Sequence, residues 1–163
     1  MKSSLTAICL TLALSLGTIS AAWSADFQKG LAAAQSGDYA TALREWTPLA
    51  IQGDTRAQYN LGQMYRRGQG VAQDDKTAVK WYTLAAEQGN ASAQVILGGM
   101  YYDGQGVIQD KVYAHMWWNI AASNGDKGAV KNRDKVAGMM TPSQLEKAQD
   151  LARECVRKKY KDC

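Results

Sequence analysis

The sequence has few of the residues from which catalytic and metal sites are usually built. Its 163 residues include one histidine, His115, and three cysteines, so a zinc site or a Ser-His-Asp triad would depend on a single imidazole. None of the five serines after residue 23 is followed three positions later by lysine, so the Ser-x-x-Lys pattern of one class of serine enzymes is missing there. We therefore expect a non-catalytic protein with no cofactor and no metal.

The sequence also has a small net charge and a single long apolar run. The formal net charge is +4 and 46% of the residues are hydrophobic, which is ordinary for a globular protein and argues against disorder. A long apolar run lies at residues 5–19, after the charged Lys2, and small residues follow it. This order is typical of a secretory signal peptide, so residues 1–25 are predicted to contain a cleaved signal peptide and its cleavage site, after Ala22 or after Ser24. The alternative is a short membrane anchor, since roughly 20 apolar residues span a bilayer.

Export changes how the remaining cysteines are interpreted. A signal peptide predicts a periplasmic or secreted protein, and Cys155 and Cys163 are the two cysteines left after its removal. An oxidising compartment favours their pairing. In a continuous helix they would be roughly 12 Å apart, which is too far for a disulfide, so pairing requires the chain to turn back between Arg157 and Asp162. The alternatives are a buried thiol at Cys155 and a free or intermolecular Cys163.

Self-comparison of the sequence finds a repeat of 36 residues. Residues 57–92 and 93–128 share 17 identical positions when they are aligned at that offset. In the first copy Ala57, Leu61 and Tyr65 fall on one face of a helix. A Gly-x-Gly-Val stretch ends that helix, and an aspartate follows as the cap of a second one. One such helix pair cannot bury its own apolar face, so neighbouring pairs are expected to stack.

These residues resemble the SEL-one-like repeat family, the longer-looped relatives of tetratricopeptide repeats. The matching features in residues 57–128 are LG-x-MY-x-x-G-x-GV, the Asp after it, A-x-x-WY, AA-x-x-G and the 36-residue period. The resemblance implies an all-α fold, an α/α superhelical solenoid of antiparallel helix pairs with a C-terminal capping helix. A single repeat domain is expected over residues 26–163.

The two ends of this domain depart from the repeat pattern. Residues 26–56 form a divergent first unit without the G-x-GV loop, and Pro48 predicts a kink or an early break in its second helix. Residues 129–163 form half a repeat followed by the capping helix. That helix is predicted to begin at Thr141-Pro142, with Thr as the cap, Pro as the first helical residue and a glutamine that completes a capping box.

The resemblance implies an interaction module or adaptor that binds a partner protein on the concave face, which the first helices of the repeats line. Positions on these helices that differ between repeats are the candidate contacts, and drifted surface positions are the alternative interpretation. The candidates are Asn60, Gln63, Arg66, Arg67, Ile96, Tyr102 and Asp103.

The expected partner is an envelope or host protein. One alternative is a regulator that docks on the exported domain of a membrane sensor. Another is a cell-wall or β-lactam hydrolase, which the missing nucleophile–base pair disfavours.

Basic residues are concentrated near the C-terminus. Residues 23–126 contain eight basic and ten acidic residues, whereas residues 127–162 contain ten basic and five acidic ones. The basic tail consists of Arg157, Lys158, Lys159 and Lys161. These cations are suited to weak contact with an anionic surface, or they complement the dipole of a terminal helix. Nucleic acid is not expected as the partner of an exported protein, and the protein is expected to be monomeric.

Overall fold

The computed structural model describes residues 25–163, so the predicted signal peptide lies outside the described residues except for Ala25. The described residues form eight α-helices and no strand. In chain order the helices are α1 (Phe27–Gln35), α2 (Tyr39–Ile51), α3 (Thr55–Arg67), α4 (Asp75–Ala86), α5 (Ala91–Asp103), α6 (Lys111–Ser123), α7 (Lys127–Ala137) and α8 (Pro142–Arg157). None of these eight helices is long and apolar enough to cross a membrane.

The helices form consecutive antiparallel pairs that stack in a row. α1 packs on α2, α3 on α4 and α5 on α6, and each pair contacts the next through α2–α3, α4–α5 and α6–α7. α8 packs mainly against α6, so it covers the end of the stack. The buried side chains form three successive clusters, around Trp46, around Tyr82 with Trp117, and around Trp118. The prediction of an all-α repeat solenoid is confirmed.

A short polar residue begins each of these eight helices. The N-cap is Asp, Asn or Thr in every case, and its side chain accepts a hydrogen bond from backbone N–H groups of the first turn. Two predicted starts are confirmed. Asp74 accepts from the N–H of Thr77 at 3.1 Å, and Thr141 forms a capping box with Gln144. The helix starts are therefore determined locally by the sequence.

A glycine lies against an aromatic ring in each of the first three helix pairs. The three contacts are Gly30–Trp46, Gly62–Tyr82 and Gly98–Trp118. A Cβ atom at Gly62 would lie 2.7 Å from Cε1 of Tyr82, so the close approach of the two helices requires glycine. The divergent first unit therefore keeps the central contact of the repeat, although its long loop is missing.

The Gly-x-Gly loops connect each repeat to the one before it. Gly68 ends α3 in the left-handed conformation, with φ at 65°. Gly70 then lies against the backbone of Tyr39 at the start of α2, and Gly106 lies in the same way against Asp75 at the start of α4. A side chain at either of these two glycines would collide with that backbone. The loops thus hold successive helix pairs at a short, repeated distance.

Two buried glutamines join successive units through their side chains. Gln58 Nε2 donates to the carbonyl oxygen of Ala50 at 3.0 Å, and Gln94 Nε2 donates to that of Ala86 at 3.1 Å. Both acceptors belong to the last turn of a helix, where carbonyl groups have no partner within the helix itself. The two glutamines are identical positions of the repeat, so the same bond occurs once in each unit.

The side-chain oxygen of each glutamine is used as well. It accepts from Gln88 Nε2 at 2.7 Å in the first unit and from Asn124 Nδ2 at 3.0 Å in the second. Asn124 Oδ1 in turn accepts from the Tyr160 hydroxyl at 3.2 Å. Residues 88, 124 and 160 are spaced at the repeat period, but Tyr160 bonds to Asn124 and not to residue 130, the valine that follows Gln58 and Gln94 in the series. We call these side-chain bonds the glutamine ladder.

The prediction of an early break at Pro48 is wrong. α2 continues through Pro48 to Ile51. Trp46 and Ala50, on either side of the proline, are 3% and 1% exposed within the first core cluster. Their burial stabilises the helix enough to offset the backbone hydrogen bond that proline cannot form.

The predicted disulfide between Cys155 and Cys163 is present, with Cα atoms 5.3 Å apart. α8 ends at Arg157, and the chain then turns back through Lys159 and Tyr160, whose φ angles are 54° and 67°. The turn lies within the segment where the cysteine spacing required one. Tyr160 and Cys163 thereby pack against the middle core cluster, so the tail is part of the folded structure.

Candidate functional site

Two grooves open on the surface of the first helices of the pairs. We call the exposed surface of α1, α3, α5 and α7 the first-helix face. The α1–α3 groove, of about 230 Å³, is lined by Leu31, Ala34, Gln35, Tyr39, Trp46, Asn60, Gln63, Met64, Arg67 and Gln69. The α5–α7 groove, of about 300 Å³, is lined by Gly99, Tyr102, Asp103, Trp118, Asn132, Lys135 and Val136. The two grooves lie toward opposite ends of this row of helices.

The α1–α3 groove combines apolar walls with an unused hydrogen-bond acceptor. Leu31, Trp46 and Met64 supply the apolar surface. Gln63 Nε2 donates to the hydroxyl of Tyr59 at 2.8 Å, whereas Gln63 Oε1 is buried and has no hydrogen-bond partner. A buried acceptor left unpaired costs free energy, and a donor that enters the groove removes that cost.

The α1–α3 groove is also bordered by positive charge. Arg66 and Arg67 occupy the last turn of α3, where cations complement the helix dipole, and Arg67 is exposed at the rim. Neither arginine forms an ion pair with any residue of the described structure. The nearby Tyr82 adds no negative charge, because burial raises the pKa of its hydroxyl far above the usual range. The groove therefore favours an acidic group.

The α5–α7 groove is built around an aromatic pair. The ring centroids of Tyr102 and Trp118 are 5.7 Å apart, and the Trp118 indole N–H donates to the carbonyl oxygen of Val95 at 3.0 Å. Asp103 from α5 and Lys135 from α7 supply opposite charges at the groove. This groove offers aromatic surface and both signs of charge, in contrast to the cationic α1–α3 groove.

Most of the contact residues predicted from the sequence lie in one of the two grooves. Asn60, Gln63 and Arg67 come together in the α1–α3 groove. Tyr102 and Asp103 come together in the α5–α7 groove. The variable positions of the repeat are therefore separated into two surfaces of different charge.

Two of the predicted contact residues, Arg66 and Ile96, line neither groove. Ile96 is partly buried and packs against the middle core cluster, as does Tyr59. Sequence reasoning also missed residues of α1, such as Leu31 and Ala34, that face α3 across the groove. The first unit does not align with the two clear repeats, so no periodic signal marked them.

The cations of the basic tail are partly compensated by the helix that carries them. Arg157 donates to Glu154 at 2.9 and 2.6 Å, and Lys158 Nζ lies 3.6 Å from the same carboxylate. The hydrogen bond from Arg157 lowers the pKa of Glu154. Lys159 and Lys161 are exposed and form no ion pair with any described residue. The tail thus presents two uncompensated charges at the turn that the disulfide closes.

The described part of the chain contains no cluster of metal ligands. No three His, Cys, Asp or Glu side chains of residues 25–163 lie close enough to hold an ion. His115 lies in α6 and is 3% exposed, so it is packed in the interior.

Stacked helix pairs with grooves on one face define a helical repeat protein. The sequence model of the Sel1 repeat matches residues 55–90 and 91–126, which begin two positions before the two segments aligned above. The chain is a Sel1-like helical repeat protein. The resemblance noted in its sequence is thereby confirmed.

Two solved structures are similar to this one. A protective antigen present in uropathogenic Escherichia coli strains, which displays an SLR fold, is 31% identical, with a TM-score of 0.75 over 80% of this chain. A Sel1 repeat protein from Oxalobacter formigenes is 28% identical, with a TM-score of 0.66 over 79% of this chain. The chain spans 30% of the first of these proteins and 55% of the second. None of the curated proteins matches it.

Sel1 repeat proteins are generally protein-interaction modules, and their fold is typically a non-catalytic scaffold. The grooves of the first-helix face have the features that such a role requires, since each places apolar or aromatic surface beside a few polar groups. Binding of another protein is therefore the class of function that the fold and the family support.

Proposed function

We propose that this protein binds an extended segment of another protein along the first-helix face, with the α1–α3 groove as the main contact. The observation that carries the proposal is the buried Oε1 atom of Gln63, an acceptor without a partner beside apolar walls. Once the Gln63 side chain turns toward the groove, this acceptor pairs with a backbone N–H group of the bound segment, because an extended chain has N–H groups that lack partners.

The other residues of the groove select the side chains of the segment. Leu31 and Met64 fit an aliphatic side chain, whose burial stabilises the complex. An acidic side chain a few residues away pairs with Arg67 through charge-assisted hydrogen bonds. The α5–α7 groove extends the same face with Asp103 and Lys135, where polar residues of either charge are accommodated. The proposed ligand is thus an extended segment with an apolar residue and a nearby acidic residue.

We also propose that the protein acts after export, in the periplasm or outside the cell, on an envelope or host protein. The apolar run at residues 5–19 and the small residues after it support removal of a signal peptide. The bond between Cys155 and Cys163 supports an oxidising compartment, where such bonds persist.

Sequencing the N-terminus of the protein recovered from the native envelope tests export. Cleavage at either predicted point leaves the cap of α1, Asp26, in place, so the folded part is complete in both cases. We expect the mature chain to begin at Trp23 or Ala25. A chain that still begins at Met1 would contradict removal of a signal peptide.

Photo-crosslinking at a single position tests where the partner binds. Benzoylphenylalanine in place of Gln35, which is exposed and lines the α1–α3 groove, should crosslink the partner in native cells. The same group in place of Lys80, which is exposed on α4, is the control and should give no such product. Equal crosslinking from both positions would rule out the first-helix face as the binding surface.

The affinity for the crosslinked partner should depend on the cations of α3. We expect Arg66→Ala combined with Arg67→Ala to raise the dissociation constant by roughly tenfold or more, because charge-assisted hydrogen bonds are lost. Lys76→Ala combined with Lys80→Ala removes the same charge from α4 and should leave the constant unchanged. Titration calorimetry with the purified partner measures the dissociation constants of both double variants. Equal effects of the two would contradict groove binding.

A further inference from the structure

A polar cleft lies between α6, α7 and α8 and shares no residue with the two grooves of the first-helix face. Its volume is about 390 Å³. It lies outside both matched repeats except for the part of α6 that forms its base. The proposed partner-binding grooves do not use it, so its chemistry requires a separate account.

Two arginines from different helices line this cleft. Arg133 of α7 donates through Nε and Nη2 to Asp134 at 2.9 and 2.8 Å, and its Nη1 atom forms only a long bond, at 3.4 Å, to Asn119 Oδ1. Arg153 of α8 pairs with the exposed Asp150, and such exposed pairs are weak. Both guanidinium groups therefore retain donors for a ligand.

The base of the cleft contains the one histidine of the chain. His115 is 3% exposed, and its Nδ1 atom has no hydrogen-bond partner. Burial lowers the pKa of His115, and the charge of Arg133 lowers it further, so the imidazole is neutral at pH 7. A neutral imidazole supplies one donor and one acceptor without adding charge.

We propose that this cleft binds a single carboxylate group, held between Arg133 and Arg153. Guanidinium groups match carboxylates in geometry and bind them through two parallel hydrogen bonds. Asp134 in the lining and Asp150 on Arg153 offset much of the charge of the two arginines, so the cleft suits a monoanion better than a doubly charged phosphate. Ala137 and Leu145 give an apolar wall for the group attached to the carboxylate.

Such a carboxylate has two chemical sources, the C-terminus of a polypeptide and a small organic acid. Because the chain has one histidine, the ring protons of His115 are an unambiguous NMR reporter of the cleft in untagged protein. We expect N-acetyl-leucine to shift these signals to saturation, and N-acetyl-leucinamide, which lacks the charge, to leave them in place. Tighter binding of N-acetyl-leucine than of acetate indicates a polypeptide terminus, and equal binding indicates a small acid.

Variants of the two arginines complete the test. Arg133→Gln and Arg153→Gln should each raise the dissociation constant of N-acetyl-leucine by roughly tenfold, since each removes hydrogen bonds to a charged group. Lys131→Gln removes an exposed cation from α7 that does not line the cleft, and it should leave the constant unchanged. Arg153 is on the surface, so that variant is expected to stay folded. Equal shifts with the amide, or equal effects of all three variants, would overturn the proposal.

Discussion

Gly98→Ala should lower the free energy of unfolding by at least about 2 kcal/mol. The added Cβ would lie 2.5 Å from Cδ1 and Nε1 of the Trp118 ring. The ring is 6% exposed, and its N–H is bonded to the carbonyl oxygen of Val95 at 3.0 Å, so it cannot move aside without breaking a buried hydrogen bond. Equilibrium unfolding in urea measures the change.

The neighbouring residue provides a control with the opposite sign. Gly99 has no atom within 4 Å of the position of an added Cβ, and it lies in the same helix. Gly99→Ala should therefore raise the free energy of unfolding by roughly 0.5–1 kcal/mol, because alanine loses less conformational entropy than glycine in a helix. Equal changes for the two variants would show that helix propensity, and not the contact with Trp118, decides the effect.

Loss of the bond between Cys155 and Cys163 should lower the free energy of unfolding by about 2–3 kcal/mol, the entropy of closing a loop of this length. For a domain of this size that corresponds to a fall in melting temperature of roughly 6–12 °C. The disulfide also holds the turn in place. Lys159 and Tyr160 have left-handed backbone conformations there, which are costly for residues with side chains. Thermal melts with and without dithiothreitol measure the difference.

A single substitution separates the bond from the packing around it. Cys163→Ser breaks the disulfide and leaves Cys155, which is 2% exposed, in its place in the core. We expect the variant to melt at the temperature of the reduced wild-type protein and to show no further change in dithiothreitol. A wild-type melting temperature that dithiothreitol does not alter would mean that the tail is held by its other contacts alone.

The parts of the fold that were predicted correctly depend on short-range chemistry. Caps such as Asp74 and Thr141 act within one turn, and pairing of two cysteines eight positions apart required a turn after Arg157. The early break at Pro48 was predicted wrongly, because the burial of Trp46 outweighs a local rule. Local patterns therefore predicted the helices well. The prediction that failed, at Pro48, depended on tertiary packing that a local pattern does not show.

The candidate site was less accessible to sequence reasoning. The spacing of Asn60, Gln63 and Ile96 indicates on which face of a helix each residue lies. It does not show which neighbouring helix packs on that face. The structure leaves Gln63 Oε1 buried without a partner and packs Ile96 against the core. Gln58 was visible as an identical position of the repeat, yet its acceptor, the carbonyl oxygen of Ala50, belongs to another helix.

The glutamine ladder has a consequence for how an array of this kind changes in length. Tyr160 bonds to Asn124, and the residue that follows Gln58 and Gln94 at the repeat period is Val130, which has no side-chain amide. A longer array that continues the ladder therefore needs a glutamine at this position, so the valine marks where the side-chain bonds of the ladder stop.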